Sequence, residues 1–292
     1  MIKLQNSKRQ LSAAALVLSM ISISSGASLA KLMFETFTPQ DVTVLRITVS
    51  AVILCLGLRA WDVRLSRQNL PAIISYGVTL AGMNLFFYLA IQTVQVAVVV
   101  AIEFTGPLCV AVMHSRNRVD FLWILLAAMG IYQLTPFSQT MSHSDLTGIM
   151  YALLAAFFWG AYIITGKKAG EHFGGKTPAL GLVVASVFLM PVGGDSFTSI
   201  TFNGDVITLI LAMAFLASTC PLVLEMYALR NLPLKTYGIF SSCEPVVGAV
   251  ISFIILNEQL SSSQLVGVGL IVLASIGSVL SIPSVQRTTE VV

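Results

Sequence analysis

Two glutamates stand where an apolar helix has no ordinary use for them. Glu103 lies in the run Val96 to Met113, VAVVVAIEFTGPLCVAVM, with a Gly106-Pro107 pair behind it; Glu244 lies in Tyr237 to Leu256, YGIFSSCEPVVGAVISFIIL, directly before Pro245. A carboxylate near the centre of a bilayer costs roughly 3 kcal/mol or more unless it faces protein or water. A proline inside a helix removes one backbone hydrogen bond and frees a carbonyl. Superposing Pro107 on Pro245 sets Glu103 against Ser241 and Glu244 against Gly106, and positions three apart share a helix face. The chemistry on offer is proton exchange, or capture of an ammonium group, beside a loosened helix turn. We expect both helices to line one central polar site, with Gly106, Pro107 and Pro245 as its helix breaks.

The helices that carry these acids belong to a membrane. Of the 292 residues 56% are hydrophobic and only 10% charged, and the mean hydropathy is +0.89, far above an ordinary soluble domain. A formal charge of +3 comes with no basic tail or aromatic-basic patch, so no nucleic acid partner is expected. Cys55, Cys109, Cys220 and Cys243 fall in apolar runs without metal-ligand spacing, and they read as packing residues.

The chain has room for about ten short-looped spans of ~20 residues each. The apolar runs are Leu11 to Met33, Asp41 to Leu58, Leu70 to Ile91, Gln95 to Met113 and Val119 to Phe137. They continue as Leu146 to Thr165, Thr177 to Val192, Asp205 to Leu229, Leu234 to Leu256 and Ser263 to Ile282. Alternate connections hold Lys3, Lys8, Arg9; Arg59, Arg64, Arg67; Arg116, Arg118; Lys167, Lys168, Lys176; Arg230, Lys235; and Arg287, while the others hold no basic residue. Positive residues mark cytoplasmic loops, so both termini are expected in the cytoplasm. The amino terminus also imitates a secretory signal, with Ala27-Ser28-Leu29-Ala30 as a cleavage site. Its apolar run is longer than a signal core, and losing it would leave an unpaired span.

Ten spans divide into two fives, 1–140 and 141–292, and an odd number per set turns the second set upside down relative to the first. Ala90-Ile91-Gln92 matches Ala228-Leu229-Arg230 at the offset of the two prolines, and Gly26-Ala27 resembles Gly160-Ala161. The expected fold is therefore an all-α integral membrane protein of ten transmembrane helices in two inverted five-helix repeats. Such repeats place a binding site near the midplane and let access alternate between sides, the architecture of a secondary transporter.

Several segments carry a family resemblance: Ser25-Gly26-Ala27-Ser28-Leu29-Ala30-Lys31, Tyr76-Gly77-Val78 with Gly82-Met83-Asn84, Glu103-Phe104-Thr105-Gly106-Pro107, Asp145-Leu146-Thr147-Gly148, Leu224-Glu225-Met226 and Glu244-Pro245. They resemble the drug/metabolite transporter superfamily and, within it, the EamA branch, most nearly the threonine/homoserine exporters of the bacterial inner membrane. The resemblance runs from about Ile23 to Leu280 and implies export of small amphiphilic metabolites, driven by the proton gradient with no cofactor. It implies as partners an amino-acid substrate and the lipid bilayer, with a homodimer open. The family's Gly-Glu pair after span nine is replaced by Asn257-Glu258, a change that should affect a turn more than the site.

An amino-acid zwitterion asks for both signs of charge, a cation for its carboxylate and a carboxylate for its ammonium, since both ends lose water on binding. Arg46 with Glu103 or Glu244 would supply them, and Asn84, Tyr88, Trp159, Tyr162 and Tyr237 would line the cavity. A carboxylate that exchanges a proton near neutral pH would couple transport to the gradient, which burial permits. Each residue has a plainer reading. Arg46 would neutralise Glu103 for folding or snorkel outward, as would Lys31; Glu225 would pair with Arg230; the polar and aromatic residues would pack between helices. Gly77, Gly82, Gly148, Gly160, Gly248, Gly267 and Gly269 read as close-packing points. An enzyme is disfavoured: there is no HExxH and no paired catalytic aspartates on adjacent spans, and His114, His143 and His172 fall in connections. A passive channel, or an exporter of another metabolite, is the competing reading.

Overall fold

The computed structural model describes residues 2–113, 120–134, 143–193, 204–232, 237 and 240–281. Among them every regular element is a helix: α1 (Ile2–Met33), α2 (Pro39–Leu58), α3 (Leu70–Thr93), α4 (Val96–Glu103), α5 (Thr105–Met113) and α6 (Asp120–Leu134). There follow α7 (His143–Phe173), α8 (Thr177–Leu189), α9 (Gly204–Ala214), α10 (Cys220–Asn231), α11 (Glu244–Leu256) and α12 (Ser262–Ser281). Large apolar side chains such as Phe121, Phe157 and Ile254 stand on the outer surface, 79%, 68% and 68% exposed. That is the inverse of a soluble fold and the ordinary surface of a multi-pass membrane protein.

Local sequence explains where the helices start and stop. The Thr38 hydroxyl accepts from the Asp41 backbone N–H at 3.2 Å with Pro39 in the first turn, an N-cap that opens α2. Gly174, at φ +53°, sits where the apolar stretch Asp145–Val192 turns back on itself. Both limbs of that stretch, α7 and α8, pack on α3. A straight helix of those 48 residues would be about 72 Å long, more than twice a bilayer's hydrocarbon core.

Close approach is set by a few glycines. A Cβ on Gly106 would stand 2.0 Å from the Ala156 carbonyl oxygen, and one on Gly160 would stand 3.3 Å from the Gly106 oxygen, so this pair lets α5 lie directly against α7. Gly267 and Gly130 serve α12 and α6 in the same way. Gly269 corrects its expected role: nothing lies within 4 Å of a Cβ there, so it faces outward rather than into a helix contact.

Three helices are broken, and the breaks differ from a simple proline kink. The run expected as one helix from Gln95 to Met113 stops at Glu103 and restarts at Thr105. In the second run Phe240 and Ser241 are helical, Ser242 and Cys243 form a turn, and helix restarts at Glu244, so Pro245 sits in the first turn of the restarted helix and not mid-helix. The third break lies in the apolar run after Gly204. There α9 and α10 are joined by a π-helical turn, Phe215–Thr219, just before Pro221. The wholly buried α4 packs on α11, which brings the first two breaks together.

Candidate functional site

The breaks surround a cavity of about 650 Å³. Two prolines that line it, Pro107 and Pro221, each remove the N–H that would serve the carbonyl four residues earlier, those of Glu103 and Ala217. Glu103 and Ala217 line the cavity as well, and Pro245 follows Glu244, a third residue of its lining. The sequence thus uses proline to put loosened backbone, and two of the three carboxylate side chains, at one place.

Arg46 supplies the cavity's positive charge. It is 3% exposed, so it does not snorkel. Its Nη1 donates to the Ser218 hydroxyl at 2.6 Å and to the Ala217 carbonyl at 3.4 Å, and its Nη2 donates to the Asn84 side-chain oxygen. Pro221, which has no N–H to serve it, leaves the Ala217 carbonyl available. Asn84 is oriented by its own amide, which donates to the Leu80 carbonyl at 2.8 Å. The guanidinium carbon lies 5.0 Å from the centroid of the Tyr88 ring, a cation–π contact. Tyr88 is therefore corrected: it does not line the cavity but forms the floor under Arg46.

No ion pair joins Arg46 to Glu103. Among the described residues no acid lies within 4.0 Å of the guanidinium and no cation within 4.0 Å of Glu103 or Glu244. Its Nε is buried without a hydrogen-bond partner among those residues. A buried guanidinium held by neutral groups retains its full attraction for a carboxylate or another anion that reaches it.

The acids come from separate elements. Glu103 is the last residue of α4, and Glu244 opens α11, whose helix dipole favours negative charge at that end. Trp159 closes one wall, its ring edge-on to Phe104 at 5.2 Å, and Tyr162 stacks on Tyr76 at 5.0 Å while the Tyr76 hydroxyl donates to that of Tyr162 at 3.1 Å. Tyr237 and Ser241 face the same space. The structure thus gathers Glu103, Glu244, Arg46, Asn84, Trp159, Tyr162, Tyr237 and Pro107 around one cavity. Gly106 and Pro245 shape its helices without lining it.

Two charged residues meet partners that their spacing did not suggest, while the side chain of Arg230 lies outside the described residues. Glu225 lines the cavity and accepts from the Ser19 hydroxyl of α1 at 2.8 Å, a role its spacing to Arg230 did not suggest. Lys31 does not reach for the membrane surface. It pairs with Glu258 at 2.7 Å and donates to the Val94 carbonyl at 2.8 Å. The second oxygen of Glu258 accepts from the Val96 backbone N–H at 2.9 Å. Gln95 adds a bond to the Gln259 carbonyl at 2.8 Å. The Asn257-Glu258 turn therefore does more than reverse the chain: Asn257, at φ 56°, ends α11 and its neighbour ties α1, the α3–α4 turn and the α11–α12 turn together.

Broken helices around a shielded polar cavity, inside a bundle whose outer surface is apolar, define a membrane transporter. The sequence profile of the EamA-like transporter family matches residues 146–280. The chain is 41% identical over 275 residues to the threonine/homoserine exporter RhtA of Escherichia coli K12, covering 94% of this chain and 93% of that protein. It is 42% identical over 267 residues to RhtA of Salmonella typhimurium LT2, covering 91% and 90%. A probable amino-acid metabolite efflux pump of the same Salmonella strain is 28% identical over 223 residues, covering 69% and 74%. A solved crystal structure shares the fold at TM-score 0.61 and 15% identity, covering 94% of this chain and 97% of that one. The chain belongs to the EamA-like transporter family.

Proposed function

We propose that the protein exports threonine, homoserine and similar small amino acids from the bacterial cytoplasm across the inner membrane, by antiport with protons and alternating access. The observation that carries this reading is the division of charge in one cavity, with Arg46 held ready by neutral partners and carboxylates on other helices. A zwitterion matches that layout at both ends, and the neighbouring backbone carbonyls offer its ammonium further acceptors.

The fold behind this activity is two inverted repeats of five helices, 1–140 and 141–292. Pairwise packing supports it. α2 packs on α8, α4 on α11 and α6 on α12, each joining equivalent members of the two sets, and the large α3–α7 contact has its counterpart between α10 and α1. Six apolar stretches are long enough to cross a membrane. Folding Asp145–Val192 at Gly174 and adding the shorter Val96–Val110, Phe121–Leu134 and Glu244–Leu256 brings the spans to ten.

The cavity lies toward the ends of helices that meet the basic connections, among them Leu16, Leu54, Pro178 and Val279. The opposite ends are tied by Lys31 and Glu258. We read this as the state that accepts substrate from the cytoplasm, with both termini on that side.

Counterflow tests the reading. Proteoliposomes loaded with unlabelled threonine should accumulate labelled threonine or homoserine with saturating kinetics, and an imposed pH gradient should drive the flux. Arg46→Lys keeps the charge but not the fork that Ser218, Ala217 and Asn84 hold, and should lower exchange at least tenfold. Flux that never saturates and shows no counterflow would establish the channel reading instead.

A further inference from the structure

Glu225 is the one carboxylate of the cavity that the reading above leaves without a task. Its Oε1 accepts from the Ser19 hydroxyl at 2.8 Å, and among the described residues its Oε2 has no hydrogen-bond partner. It is not an isolated acid on an apolar wall. The same cavity contains the Arg46 guanidinium, 3% exposed and with a buried, unpartnered Nε, so a fixed positive group stands in the same space.

Depth separates the two. Glu225 lies six residues before the end of α10 at Asn231, about 9 Å of helix rise from the connection whose sequence holds Lys235. Arg46 lies twelve residues before the end of α2 at Leu58, about 18 Å from the connection that holds Arg59. Both connections belong to the basic set. A molecule moving inward from that side therefore meets Glu225 before it meets Arg46.

We infer that Glu225, oriented by Ser19, is the first docking point for the substrate's ammonium group, from which the substrate's carboxylate is presented toward Arg46. The inference rests on the export reading and deepens it: recognition starts at the amine, and uncharged or purely anionic metabolites lack the group that Glu225 takes. Proline and π turn together place the residue. The Phe215–Thr219 turn and Pro221 precede it directly, and Ser19 also donates to the Pro221 carbonyl at 3.4 Å, so α1 holds this loosened stretch in register.

Two substitutions separate a docking role from a structural one. Glu225→Gln removes the charge and keeps a carbonyl oxygen to accept from Ser19, whereas Ser19→Ala removes the hydrogen bond and keeps the charge. In inverted membrane vesicles, labelled threonine uptake by Glu225→Gln should show KM raised about tenfold or more, the worth of a charge-assisted hydrogen bond, with kcat within about twofold. Ser19→Ala should raise KM less, and Glu225→Asp should recover part of the loss. The inference is overturned if Glu225→Gln leaves KM unchanged, or if Ser19→Ala raises it as much and lowers the melting temperature as well, the pattern of a helix tie. A wild-type protein that exchanges no amino acid would overturn the export reading along with it, while normal wild-type exchange with an unaltered Glu225→Gln KM sinks this inference alone.

Discussion

Arg46 shows how a buried charge can be stabilised without being neutralised. Ser218, Ala217, Asn84 and Tyr88 satisfy most of its donors and its cationic face, so the guanidinium needs no acid to stay in place. Glu103 and Glu244 are left for other work. Glu103→Gln and Glu244→Gln keep shape and most hydrogen-bonding capacity but cannot lose a proton near neutral pH. Both variants should insert and fold, and at least one should lose gradient-driven export. We expect Glu103→Gln to retain exchange at equal pH on both sides, the behaviour of a lost coupling group, and Glu244→Gln to lose exchange as well, the behaviour of a lost ammonium partner. Export at wild-type rates by both, across a range of pH, would leave the acids with structural roles only. Most of this site was legible because an ionisable or hydrogen-bonding residue in an apolar run is conspicuous. What spacing could not convey was partnership: Tyr88 lies under Arg46 and not in the cavity, and Glu225 answers to Ser19, 206 residues away along the chain.

Among the elements, the contrast is between helices loosened at the cavity and helices tied at the far end. Lys31, Glu258, Val94, Val96, Gln95 and Gln259 join three segments where the cavity does not reach. In the alternating-access cycle proposed above that tie would have to open once per cycle, strong enough to hold and weak enough to release. Lys31→Met removes the cation and leaves Glu258, whose side chain is 11% exposed, without its ion-pair partner. The variant should lose about 1–3 kcal/mol of stability, and a cysteine placed at Gln95 should react faster with a membrane-impermeant maleimide added outside intact cells. Unchanged labelling would mean the tie does not control access. The sequence showed where these helices begin and end to within a few residues at most boundaries. It did not show the π turn, because nothing in FLASTCPLVL but Pro221 distinguishes it from an unbroken span. The break before α11 was hidden for a related reason: the apolar run continues through the Ser242-Cys243 turn although regular helix does not.

For the whole molecule the proposed orientation rests on the basic connections. Six of the residues behind it, Arg59, Arg64, Arg67, Lys167, Lys168 and Lys176, belong to the α2–α3 and α7–α8 connections or the helix ends beside them. Reporter tags on the amino and carboxy termini should both read out as cytoplasmic, and an external carboxy terminus would overturn the ten-span arrangement. The π turn has a further consequence at this scale. It holds one residue more than the α-helical turn it replaces, which advances the phase of α10 by about 100° relative to α9. In the two-repeat arrangement proposed above its counterpart, α3, runs unbroken from Leu70 to Thr93. The two halves would then be out of phase by a single residue, and the inward-open and outward-open conformations would not be mirror images of each other.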